Sequence, residues 1–130
     1  MYKGSNYSGF QTQTNATTIQ STIENAFQKI LRQTIHLTGS SRTDAGVHAL
    51  QNFFHMDIDK KFPTQKMYNI NAVLPTDIVV KNIYAVSPQT HCRFSALSRE
   101  YKYFIATQKN PFIQDCSYYY PYKMDIALLQ

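Results

Sequence analysis

Hydrophobic spacing switches along this chain between a helical and an extended period, and this alternation limits the folds available to it. Residues 17–32 place apolar side chains on one helix face, because such residues recur three or four positions apart. Thr17 and Gln20 have the spacing of a capping box at the start of that helix. A second helix is predicted between Pro63, which suits a first turn, and Pro75, which ends it.

Four other segments alternate apolar and polar residues, which is typical of strands. The order helix, strand, strand, helix, strand, strand predicts an α+β fold close to the split βαβ, ferredoxin-like unit. Its antiparallel sheet would carry the helices on one face. The predicted strands are Thr34–Thr38, Gln51–Ile58, Ile78–Val86 and Arg99–Thr107, with a stub at residues 1–3.

Asn110-Pro111 is the predicted domain boundary. Residues 1–110 then form a first domain with a core, and residues 111–130 begin a second one. Beyond the boundary, Ser117–Tyr120 is predicted to be extended, and Met124–Leu129 has a helical pattern.

The run from Gly39 to Ala49 is predicted to be a shaped loop. Gly39 and Gly46 allow backbone conformations that other residues resist, and the Ser, Thr and Asp residues between them favour turns. Such a loop presents Arg42 and Asp44, which would share a side if the segment is extended. The alternative is a surface turn in which Asp44 caps the next element.

Composition narrows the class of protein. Hydrophobic residues make up 43% of the chain and aromatic residues 14%, which argues against disorder. Thirteen Lys and Arg against eight Asp and Glu give a net charge of +5. This excess favours a polyanion such as RNA, although a solvated basic surface explains the charge alone equally well.

The cysteines and histidines predict neither a disulfide nor a metal site. Cys92 and Cys116 lie far apart in the sequence, which suits a reducing compartment. The four histidines lack metal-ligand spacing. No apolar stretch is long enough for a membrane span, so the expectation is a cytoplasmic protein without a membrane partner.

Four segments, in order, resemble motifs of the TruA family of tRNA pseudouridine synthases. Arg42-Thr43-Asp44-Ala45-Gly46-Val47-His48-Ala49 resembles the catalytic signature of that family. Two departures are Phe10, where the family usually has Trp, and Ser41, where it usually has Gly. The four segments are residues 2–11, 42–49, 71–78 and 91–103.

The resemblance implies a reaction and a partner. Such enzymes convert uridine to pseudouridine in the anticodon stem-loop of tRNA: the N-glycosidic bond breaks, the bound uracil rotates, and the base rejoins through carbon. No redox change or group transfer occurs, so we expect no cofactor and no metal. The expected partner is tRNA, and the full-length protein is expected to be a homodimer.

The resemblance also assigns the candidate residues. Asp44 corresponds to the nucleophile, and a carboxylate can both attack a nucleoside and leave again. Whether it attacks the sugar or the uracil ring stays open. Arg42 is predicted to bind RNA phosphate or the flipped nucleotide, with an ion pair to Asp44 as the alternative. Tyr101 would hold the extruded base, whereas pattern alone suggests a core aromatic, which is our prediction for Tyr103.

Other residues are weaker candidates for contacts with RNA. His48 and Arg93 could each contact RNA or stabilise the fold, and a loop hydrogen bond is the stronger expectation for His48. Basic side chains that could add to an RNA-binding face are Lys60, Lys61, Lys66 and Lys102.

Two further function classes compete with the enzyme. A non-catalytic RNA-binding module of the same fold has no need for a carboxylate, which repels phosphate, in its basic face. A nucleoside or glycoside hydrolase would need a second catalytic carboxylate, and none is evident beside Asp44. The family's chains are longer and carry two similar domains. We therefore expect that the first strand is mostly missing, that the last helix is cut short, and that these residues alone are inactive.

Overall fold

The computed structural model describes residues 1–59 and 61–129 and divides the chain into two units, Met1–Leu97 and Ser98–Gln130. The architecture is mixed α/β, in agreement with the predicted class. The first unit contains α1 (Ile19–Leu31), β1 (Thr38–Gly39), β2 (Phe54–His55) and α2 (Lys66–Val73). The second unit contains β3 (Ile105–Ala106), a 3-10 helix (Gln114–Cys116), β4 (Tyr118–Tyr119) and a 3-10 helix (Ile126–Leu129).

Helix α1 begins at Ile19, two residues after the start of the predicted segment 17–32. Its N-cap is Thr18, whose hydroxyl accepts from the Ser21 N–H at 3.2 Å, while the Ser21 hydroxyl accepts from the Thr18 N–H at 3.2 Å. The predicted capping box of Thr17 and Gln20 is therefore wrong. The Gln20 amide instead donates to Glu24 and to the Leu37 carbonyl, both at 2.9 Å, which ties α1 to the segment before β1.

The regular strands are much shorter than predicted. β1 pairs antiparallel with β2 over two residues each, with Thr38 opposite His55 and Gly39 opposite Phe54. Residues 1–3 lie between two other segments, because Tyr2 bridges antiparallel to both Ala49 and Ile78. A strand requires a neighbour that exchanges successive ladder hydrogen bonds, and in the described part of the first unit such pairing is limited to β1 with β2 and to isolated bridges.

The core of the first unit forms where α1 packs against α2. A core of this kind stabilises the fold mainly because it removes apolar side-chain surface from water. The core draws on both helices, on the N-terminal segment, on the residues before β1 and on the residues after α2. Its buried members are Tyr2, Tyr7, Phe10, Ile19, Ile23, Ala26, Phe27, Ile35, Leu37, Ile70, Leu74, Ile78 and Val80.

Side chains of the 71–78 motif anchor neighbouring backbone. The Asn71 amide donates to the Val80 carbonyl and accepts from the Val80 N–H, each at 2.9 Å. Asp77 accepts a hydrogen bond from the Tyr7 hydroxyl at 2.6 Å and from the Asn6 amide at 3.1 Å. The pKa of Tyr7 is raised, mainly by burial and to a smaller extent by the hydrogen bond to Asp77. These contacts make the motif a structural clamp.

In the second unit, β3 pairs parallel with β4, with Ile105 opposite Tyr118 and Ala106 opposite Tyr119. None of residues 98–128 is buried, and Tyr103 is 90% exposed, so the prediction of a core position for Tyr103 is wrong. The physical reason is size, because so few residues cannot enclose an aromatic ring. Across the described chain, no helix is both long and apolar enough to cross a bilayer.

We predict that Asn71→Ala lowers the free energy of unfolding by about 2–3 kcal/mol, because it leaves both Val80 backbone groups without their partner. The control is Asn69→Ala, an exposed position of α2, which should change stability by less than about 0.5 kcal/mol. Urea denaturation measures both variants. Equal losses would contradict the clamp.

Candidate functional site

The candidate site is the loop of residues 39–49, which leaves β1 and ends where Ala49 bridges Tyr2. The Ser40 N–H donates to the Phe53 carbonyl at 2.8 Å, which fixes the start of the loop. A turn follows Asp44, closed by the Val47 N–H and the Asp44 carbonyl at 3.3 Å. Gly46 occupies this turn with φ of +80°, a conformation that suits glycine.

Side chains of the loop alternate in exposure. Arg42 and Asp44 are exposed, whereas Ser41 and Thr43 are half-buried. Among the described residues, no salt bridge joins Arg42 to Asp44. The loop therefore presents a carboxylate and a guanidinium to solvent and turns hydroxyl groups towards the protein.

The backbone of residues 2–11 packs directly against the backbone of the loop. The Phe10 N–H donates to the Thr43 carbonyl at 2.9 Å. A Cβ on Gly9, whose φ is +88°, would lie 2.9 Å from that same carbonyl oxygen. A Cβ on Gly4 would overlap the Val47 carbonyl. Close contact between the two backbones thus requires glycine at both positions.

His48 connects the loop to this segment. Its Nδ1 accepts a hydrogen bond from the Gly4 N–H at 2.9 Å. An accepting Nδ1 carries a lone pair, so the ring bears its proton on Nε2 in this arrangement. The loop hydrogen bond expected for His48 is present, and its contact with RNA stays a prediction.

A polar network lies behind the loop. The Asn52 amide donates to the Tyr2 hydroxyl at 3.2 Å, and the Tyr2 hydroxyl is 2.9 Å from the Thr43 hydroxyl. Ser40 and Ser41 donate to the Asn52 carbonyl oxygen at 3.0 and 3.2 Å. Sequence reasoning missed this network. The available signal was a polar Asn52 within the alternating segment Gln51–Ile58.

Ser41 fits where the resembled family usually has glycine. Arg32 is the one described non-glycine residue with positive φ, so Ser41 occupies an ordinary backbone region. Its hydroxyl bonds to Asn52 at 3.2 Å. The substitution therefore adds a hydrogen bond without backbone strain.

Arg93 belongs to the first unit but to a different segment from the loop. Its guanidinium carbon lies 5.9 Å from the centre of the Phe94 ring. That ring stacks on His91 at 4.4 Å, and His91 meets His55 edge-on at 4.7 Å. Next to them, Cys92 donates to the Thr38 carbonyl at 2.9 Å, and burial raises the pKa of this thiol.

Two predicted site residues belong to the second unit. Tyr101 is 64% exposed, and Lys102 forms an exposed salt bridge with Glu100 at 3.3 Å.

Lys60 lies outside the described residues. Lys61 is exposed, and Lys66 donates to the Ile30 carbonyl at 3.3 Å. Across residues 1–59 and 61–129, no cluster of three potential metal ligands is found.

Arg42, Asp44 and His48 are thus the predicted residues that one loop brings together. An exposed carboxylate next to an anchored backbone can attack an electrophilic carbon without first breaking an ion pair. An exposed guanidinium two residues away can bind an anionic substrate with its fork of donors.

Comparison with known proteins identifies the family. Residues 1–95 match the profile of a family described as tRNA pseudouridine synthase. The chain belongs to this family. Among its relatives, a tRNA pseudouridine synthase A of Staphylococcus aureus (strain MRSA252) is 38% identical over 96% of the chain. Relatives of the same name from Porphyromonas gingivalis and Caldicellulosiruptor bescii are 41% and 39% identical over 87% and 99% of the chain.

The chain spans about half the length of these tRNA pseudouridine synthase relatives. The matched parts cover 48%, 46% and 54% of the three proteins. The family profile includes residues 2–11, the loop of residues 39–49 and Asn52. The whole anchoring arrangement therefore lies inside the matched region.

We predict that Gly9→Ala destabilises this family member by about 2–3 kcal/mol, since it combines positive-φ strain with a clash at the Thr43 carbonyl. Gly46→Ala is the matched control. Its φ is +80° but no atom lies within 4 Å of the added Cβ, so it should cost only about 1–2 kcal/mol. Chemical denaturation compares the two variants. A Gly9→Ala cost no larger than that of Gly46→Ala would refute the close contact.

Proposed function

We propose that this protein isomerises uridine to pseudouridine in the anticodon stem-loop of tRNA, with Asp44 as the nucleophile. The observation that carries the proposal is the exposed Asp44 carboxylate on a loop anchored directly before it, where Phe10 and Tyr2 hold Thr43. Membership of the tRNA pseudouridine synthase family supports the reaction class.

The chemistry needs a nucleophile that also leaves. The bond between uracil N1 and the sugar C1′ breaks, the base rotates, and a bond forms between C5 and C1′. The C5 proton is then lost, and N1 gains a proton, so no atom is added overall. Attack at the sugar and attack at the uracil ring both require an accessible, ionised carboxylate, which an Asp side chain supplies at neutral pH.

Other side chains would bind the target nucleotide. Exposed Arg42 would hold a phosphate or the flipped nucleotide, and the Tyr101 ring would hold the extruded base. His48, Arg93 and Lys102 would add contacts to the tRNA backbone, supported by the net charge of +5.

In the whole protein, residues 1–110 would belong to a ferredoxin-like catalytic domain and residues 111–130 to the beginning of a second domain. Pairing of Tyr2 with both Ala49 and Ile78 supports a central strand at residues 1–3. We further propose a cytoplasmic homodimer that needs no cofactor. The relatives are about twice as long as the matched region, so turnover is proposed for the full-length protein and not for these 130 residues alone.

We predict that Asp44→Asn abolishes tritium release from tRNA labelled at uridine C5, because the amide keeps the shape but loses the nucleophilic charge. Affinity for tRNA should change by less than about threefold, which is under 1 kcal/mol. The matched control is Asp57→Asn, which removes an exposed carboxylate outside the loop and should release tritium at the normal rate.

Two outcomes would count against the proposal. Substantial turnover by Asp44→Asn would remove Asp44 from the nucleophile role. A full-length protein that binds tRNA and releases no tritium would instead favour the non-catalytic RNA-binding module.

Binding of tRNA should weaken steeply with added salt, because phosphate contacts release counterions. We predict that Arg42→Gln lowers the slope of log affinity against log salt by roughly one, as expected for the loss of one phosphate contact. Filter binding between low and physiological ionic strength measures the slope. A flat dependence for the unmodified protein would contradict electrostatic binding.

A further inference from the structure

The residues on either side of Arg42 are held by one polar network. Ser41 bonds to Asn52 through its hydroxyl at 3.2 Å and accepts from the same amide through its carbonyl at 3.4 Å. Thr43 bonds to the Tyr2 hydroxyl at 2.9 Å. Tyr2 in turn accepts from Asn52 at 3.2 Å, so a single side chain links both ends of the segment.

The donor and acceptor capacity of each group fixes the direction of the hydrogen bonds in this network. The Ser41 carbonyl can only accept, so the Asn52 group that faces it is the NH₂. The amide oxygen of Asn52 then faces the hydroxyls of Ser40 and Ser41, which donate to it. Both ends of the amide are therefore used, and a flip would place two acceptors against each other.

The same donor and acceptor capacities identify the group that accepts the hydroxyl proton of Tyr2. The Asn52 NH₂ donates to the Tyr2 oxygen, and Tyr2 is only 6% exposed, so its own proton needs a partner within the protein. The Thr43 hydroxyl, at 2.9 Å, accepts it. Tyr2 therefore donates to the residue directly before Asp44.

We infer that Tyr2 and Asn52 are positioning residues for Asp44, an assignment that rests on the proposed function. Thr43 is held twice: its carbonyl accepts from the Phe10 N–H and its hydroxyl accepts from Tyr2. Fixing both groups leaves the backbone before Asp44 little freedom. The Asp44 side chain then starts from a defined point, and a displacement of about 1 Å at a reacting group can cost about a hundredfold in rate.

Tyr2→Phe tests this role, because it keeps the buried ring beside Phe10 and removes only the hydroxyl. In the full-length protein, kcat should fall about tenfold to a hundredfold while KM for tRNA changes less than about twofold. Tyr7→Phe is the matched control: it also removes a buried hydroxyl from the 2–11 segment, but one that bonds to Asp77 at 2.6 Å. It should lower the melting temperature and leave kcat unchanged.

A double-mutant cycle tests whether Tyr2 acts through Thr43. Thr43→Val removes the other end of the same hydrogen bond, so Tyr2→Phe combined with Thr43→Val should lose no more kcat than the more damaging single variant. Additive losses would overturn the inferred route. A Thr43→Val variant with normal kcat would also overturn it, and this measurement stands even if Tyr2→Phe fails to fold.

The outcomes separate this inference from the proposed function. If Asp44→Asn is inactive and Tyr2→Phe keeps normal kcat, Asp44 remains the nucleophile and the positioning role is wrong. A Tyr7→Phe variant that loses as much kcat as Tyr2→Phe would show a general effect of stability and would also overturn the inference. Turnover by Asp44→Asn would instead reject the proposed function.

Discussion

Backbone contact between the 2–11 segment and the loop of residues 39–49 is the constraint on which the candidate site depends. The Phe10 N–H bonds to the Thr43 carbonyl at 2.9 Å, and Gly9 lies against that carbonyl without a side chain between them. Two chain segments whose contacting residues lie more than thirty positions apart thereby act as one surface. The buried ring of Phe10, which is 1% exposed, holds the segment in the core.

The polarity of the loop follows from this packing. Its inner side meets Tyr2 and Asn52, so the half-buried hydroxyls of Ser41 and Thr43 find partners that water would otherwise provide. Its outer side retains Arg42 and Asp44, for which burial would carry a large desolvation cost. The Asp44 carboxylate thus stays in solvent while the backbone that carries it is held by the interior.

Sequence patterns predicted helix α1 better than they predicted the strands. The apolar face of α1 was predictable, because the predicted segment 17–32 contains the four buried residues of the helix. Its cap is nevertheless Thr18 and not Thr17, since Ser21 bonds back to Thr18. The strands were predicted to be too long. Alternating apolar and polar residues indicate that a segment is extended, but they do not show which neighbouring segment pairs with it. The motif predicted Asp44 and Arg42 as site residues, whereas a polar residue in an alternating segment was the one signal for Asn52, and it did not point to the contact with Tyr2.

By itself the sequence determined the family, the amphipathic α1 and the loop residues proposed for the site, since these depend on local spacing and on residue type. Tertiary structure alone decided that Gly4 and Gly9 meet the loop backbone, that Asn71 clamps Val80, and that Tyr2 and Asn52 meet behind Thr43. The physical reason is range. Periodicity reports which side of an element is buried, but a hydrogen bond such as that between Asn52 and Tyr2, fifty positions apart, exists only once the core has brought their segments together.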